Sequence, residues 1–192
     1  AKTLFPYTTL FRSGQNILDA GGTGSDNTSI WLVGWSADTI AGIYPKAKKA
    51  GLQSEDKGVV TIENVDGAGG RMEAYRMHYK WECGLVVRDW RYAVRIANID
   101  VSDLQTGADP IGYRKKIIDL MVRATEQLQS TDNCKPVFYM HRTVRTAIRQ
   151  GILDKSAGNL SEEKVAGKLV VQFDGIPCRR VDRLLLTEAR VV

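Results

Sequence analysis

The stretch RMEAYRMHYKWECGLVVRDWRYAVRIANI, residues 71–99, decides what kind of fold this chain takes. Tyr75, Met77, Tyr79, Trp81 and Cys83 read as one face, and Glu73, Arg76, His78, Lys80 and Glu82 as the other, with a one-residue slip at Arg76. A period of two is the mark of a β-strand, because successive side chains point to opposite sides. Upstream, GVVTIENV (58–65) alternates Val60 and Ile62 against Thr61 and Glu63, and DGAGG (66–70) supplies residues that accept a positive φ. Together these segments predict a long hairpin. Gly84 predicts a bulge or break, after which LVVRDWRYAVRI (85–96) begins a further strand or strand pair.

Toward the N-terminus, Ser29 to Trp35 is a short apolar run suited to a buried strand. Residues 36–57 mix Gly, Pro and charge without a period and read as an extended connection. Toward the C-terminus, Asp109-Pro110 is a helix start, with Asp as N-cap and Pro at the first helical position. Through Gln129, Ile117, Met121, Ala124 and Leu128 form one stripe, while Lys115, Lys116, Asp119, Arg123 and Glu126 fall mostly off it. KPVFYM (135–140) reads as a strand, and HRTVRTAIRQGI (141–152) as a helix with Val144, Ile148 and Ile152 inward. LVVQFDGIPCRRVDRLLL (169–186) reads as two strands around Asp174-Gly175-Ile176-Pro177, so the class is α+β.

A chain of 192 residues suits one domain or two small lobes, and 43% hydrophobic with 26% charged residues is an ordinary globular balance. No apolar run approaches the length of a membrane span. The formal charge is +5, from 27 basic and 22 acidic residues, and residues 14–192 carry only +3, an excess that permits a polyanion partner without arguing for one. Cys83, Cys134 and Cys178 are widely spaced with no C-x-x-C pair, which argues against a disulfide framework and fits a reducing cytoplasm.

The glycine-rich AGGTGSDN (20–27) precedes a strand and no helix, so it reads as a turn and not as a phosphate loop. His78 lies on the polar face of the hairpin and His141 at a strand-to-helix junction; neither falls into a nucleophile or metal-ligand spacing. The acid pairs Glu55-Asp56, Glu162-Glu163 and Asp100/Asp103 read as solvated surface. The chain is therefore expected to be no enzyme, with no cofactor and no metal. Arg142, Arg145 and Arg149 form a basic helical stripe, and Arg179, Arg180, Arg183 and Arg190 a basic C-terminal segment. They suit a phosphate backbone, acids on a neighbouring copy, or plain solvent. Trp81 and Trp90 with their surrounding tyrosines read as packing or interface surface.

Five ordered blocks carry a resemblance over most of residues 20–192. They are GSDNTSIWLVGWSADTIAGIYPK (24–46), AGLQSEDKG (50–58), HYKWECGLVVRDWRYAVRIANIDVSDL (78–104), FYMHRTVRTAIR (138–149) and DGIPCRRVDRLLLTEARVV (174–192). Together they resemble the C-terminal part of a major capsid protein of tailed bacteriophages of the short-tailed type. The resemblance implies an HK97-like fold, with peripheral-lobe strands and one helix over 14–134, an axial lobe over 135–180, and a strand returning to the peripheral lobe over 181–192. It further implies self-assembly into hexamers and pentamers of an icosahedral head, located in the virion and assembled in the host bacterial cytoplasm. The implied partners are copies of the chain itself, a scaffolding or decoration protein, and packaged double-stranded DNA bound without sequence preference, with no membrane. Arg142, Arg145, Arg149, Arg179, Arg180, Trp81 and Trp90 become candidates for subunit-interface or DNA-facing positions. The competing readings are a nucleic-acid-binding β-rich module using the arginine stripe, and an enzyme using His78 or His141.

Such coat proteins are longer, and their N-terminal arm, extended loop and spine region are expected ahead of Gly14. There the chain has only TLFPYTTLFRS (3–13), with Pro6 interrupting a short apolar cluster. This leader resembles an in-frame translation of a sequencing adapter, so residues 1–13 are expected to be foreign to a metagenomic fragment.

Overall fold

Ile30, Leu32, Val94 and Ile96 recur at alternate positions of two strands and are all but completely buried, which places the centre of the fold on one face of a sheet. The computed structural model describes residues 16–47, 49–65, 67–153, 160–165 and 168–191. In chain order the elements are β1 (Ile17–Asp19), β2 (Asn27–Trp35), β3 (Ile40–Ile43), β4 (Leu52–Glu63), β5 (Arg71–Trp81), β6 (Gly84–Val87) and β7 (Ala93–Asp100). They continue with α1 (Val101–Gln105), α2 (Pro110–Gln127), β8 (Lys135–Met140), α3 (Arg142–Leu153), β9 (Leu160–Val165), β10 (Lys168–Phe173) and β11 (Ile176–Arg180). The class is α+β, as expected. The chain divides into two compact units, residues 1–40 with 87–192, and residues 41–86.

In the first unit, seven strands run in the order β1-β7-β2-β8-β11-β10-β9. β1 pairs with β7, and β8 with β11, in parallel; the other neighbours are antiparallel. Helices α1 and α2 pack on β7, and α3 on β11. Ile117, Leu120, Met121, Ala124 and Leu128 meet Val144, Ala147 and Ile148 and the strand residues in one core. The helical stripe read from the sequence is therefore the buried one. Asp109 accepts a hydrogen bond from the Gly112 amide at 2.9 Å, and Pro110 opens the helix, so the cap also forms as its residue types dictate. Phe138 and Phe173 meet edge to face with ring centroids 5.8 Å apart, and each such side chain contributes roughly 1.5–3 kcal/mol by burial.

The β10–β11 turn is tighter than the sequence suggests. Phe173 pairs directly with Ile176, leaving only Asp174 (φ 50°) and Gly175 (φ 74°) as the loop. Two positive φ values in a two-residue loop match the twist of the flanking strands, and Ile176 and Pro177 already belong to β11.

In the second unit, β4 and β5 form a separate antiparallel pair running from Leu52 opposite Trp81 to Glu63 opposite Arg71. Residues 52–57, read as connection, are its first half: they lie exposed on both faces, so no apolar alternation announces them. Gly58, taken as the strand start, lies within β4 at an irregularity between Asp56 and Val59, with φ 71°. Glu73 lies on the same face as Tyr75, not opposite it, because Thr61–Glu73 and Val59–Tyr75 are paired two residues apart. The turn at 66–70 was expected; Gly67 and Gly69 take positive φ, and Asn64 accepts from the Gly69 amide at 3.1 Å. Gly84 marks a break: β5 ends at Trp81, and β6 starts at Gly84 and pairs with β3, where a Cβ would lie 3.2 Å from Ile43 Cγ1.

The leader (1–13) lies outside the described residues, as do the side chains of Ile152, Glu162 and Glu163.

Candidate functional site

The β4–β5 ribbon is a protein surface without a protein cover. Tyr75 is 87% exposed, Trp81 67% and Leu52 65%, and the register lines them up with Val59, Met77 and Tyr79 on one face. At about 3.4 Å per residue and two strand widths, that face measures on the order of 400 Å². The apolar side chains share that face with Ser54, Asp56, Thr61, Glu63, Arg71 and Glu73, so it is a mixed surface of the kind on which another protein can dock. Its charged fringe pairs locally, Lys57 with Glu55 at 2.6 Å, Arg71 with Glu63 at 3.0 Å and Lys80 with Glu82 at 2.9 Å.

The arginines of the sequence reading do not form one open track. Arg142 is exposed but forked onto Asp182, with Nε and Nη2 donating at 3.0 and 2.9 Å. Arg180 reaches the same carboxylate at 3.2 Å. Hydrogen bonding from Arg142, above all, holds the Asp182 carboxyl below its usual range. Arg145 is half-buried in α3, whereas Arg149, Arg179, Arg180 and Arg183 are exposed. Trp81 belongs to the 41–86 unit, and Trp90, 39% exposed, sits in a short 3₁₀ turn (Trp90–Tyr92) of the other.

Each histidine has a local partner. His141 is buried, and its Nδ1 lies 3.0 Å from Thr143 Oγ1 and accepts from the Thr143 amide at 3.2 Å. It thereby satisfies an amide at the start of α3, the task of a capping side chain. His78 is exposed, 4.0 Å from Glu55. Among the described residues, no three His, Cys, Asp or Glu side chains cluster to hold a metal, and no helix is long and apolar enough to cross a membrane. The 20–27 loop is a turn: Asp26 accepts from the Ser102 amide at 3.1 Å and from the Ser102 hydroxyl, which pulls its carboxyl below the usual range and ties the loop to the start of α1.

A feature the sequence reading missed fastens the C-terminus. Glu188 accepts from Arg95 Nη2 at 2.8 Å and from the Ser29 hydroxyl, and Arg95 Nε donates to Ser29 at 3.0 Å. The same guanidinium lies 5.2 Å from the centroid of the Trp31 ring. Three residues on, Asn98, at φ 57°, exchanges two 2.8 Å hydrogen bonds with the backbone of Val191. No local signal identifies partners this far apart in the chain.

A family model described as Major capsid protein GP7 matches residues 6–192, a range that begins inside the leader. Among solved structures, a chain of the near-atomic cryo-electron microscopy structure of bacteriophage Epsilon15 is 35% identical, with a TM-score of 0.52. The likeness covers 92% of this chain and 53% of that one, so this chain spans about half the length of its match. No curated protein matches. The agreement of sequence and architecture supports a partial HK97-like fold. Matched over nearly its whole length, the chain belongs to the Major capsid protein GP7 family.

Proposed function

We propose that the chain is a structural subunit of a phage head, joining through its own copies into the hexamers and pentamers of an icosahedral shell around double-stranded DNA. The observation that carries the reading, beside the family, is the aromatic ribbon left uncovered by its own chain. Shell subunits associate through many modest repeated contacts, and such contacts need accessible apolar area on each copy. In this reading the protein resides in the virion, after assembly in the host bacterial cytoplasm, with a scaffolding or decoration protein as a further partner. In this reading residues 135–180 belong to the axial lobe, and residues 14–134 and 181–192 to the peripheral lobe. Arg149 and Arg179 are exposed and meet packaged DNA without sequence preference, while Arg142 and Arg180 share the Asp182 carboxylate. A dedicated phosphate binder would lose affinity steeply with salt, about one log–log unit per phosphate neutralised.

The test is sedimentation velocity of the purified chain over a concentration series, with negative-stain imaging. Concentration-dependent growth into ring-sized species is expected. A monomer at every concentration overturns assembly through the surfaces that this chain carries.

A further inference from the structure

We draw no further inference here: the strongest candidate, the sheet face turned away from the helices, where Arg95, Trp31, Tyr139 and Arg179 stand in register across β7, β2, β8 and β11, carries nothing, because nothing in the structure shows what covers it.

Discussion

Arg95 and Glu188 lie ninety-three residues apart in the chain and meet at 2.8 Å, their side chains 18% and 16% exposed. Together with Ser29 they tie the C-terminal segment to β2 and β7, where Glu188 also bridges to Asn27 through the backbone. Removing one member leaves a largely desolvated charge behind. Glu188→Ala should therefore lower unfolding free energy by about 1–3 kcal/mol, less than for a fully buried pair. Urea denaturation measures it, and an unchanged midpoint would show that the pair is solvated in practice.

The Phe138–Phe173 contact predicts larger losses. Either residue is fully buried, so Phe138→Ala and Phe173→Ala should each cost about 3–5 kcal/mol. The double variant should cost less than the two together, because both lose the same ring contact. Strict additivity in the denaturation midpoints would contradict a shared packing unit.

Gly175 offers a purely conformational test. Its φ is 74° and an added Cβ meets nothing within 4 Å, so only the backbone resists a side chain. Gly175→Val should destabilise by about 1–2 kcal/mol, and Gly175→Asn by distinctly less, since Asn tolerates the left-handed region. Equal effects of the two would mean that the loop rearranges.

Acid should loosen the Asp182 contact. Its folded pKa lies below the ordinary carboxylate value, so its stabilisation is fully present above the unfolded pKa of about 3.9 and is lost as pH falls through the folded value. Asp182→Asn should flatten the acid limb of a stability-versus-pH curve and leave its slope near neutrality unchanged. An unaltered acid limb would refute the linkage.

The thiols should separate by burial. Cys178 is 3% exposed and its pKa is pushed up to about 12, chiefly by burial, with Arg145 opposing the rise. Cys83 is exposed. At neutral pH an alkylating reagent should modify Cys83 quickly and leave Cys178 untouched until the fold is denatured, as peptide mass mapping would show. Prompt modification of Cys178 would mean that β11 opens readily.

Much of the architecture was legible because local rules and packing agree. The α2 stripe and its Asp109-Pro110 start, strand β8, and the Asp174-Gly175 turn carry residue types suited to their conformations. The first half of β4 was hidden because alternation records a buried face, and residues 52–57 bury hardly anything. Both histidines could be placed on elements, yet only coordinates show that the His141 ring is engaged at the start of α3. The exposure of Tyr75 and Trp81 was equally unreadable, since an alternating aromatic strand looks the same under a cover or without one.

By itself, then, the sequence determined the α+β class, the hairpin, the stripe that α2 turns inward and membership of a capsid family, because each depends on residue type at short spacing or on ordered blocks along the chain. Only the tertiary structure decided that Asp182 engages Arg142, that Arg95 meets Glu188, and that the hairpin's aromatic face stays open. Those are relations between distant parts of the chain, and their energies come from burial and charge separation that exist only once the sheet has brought the parts together.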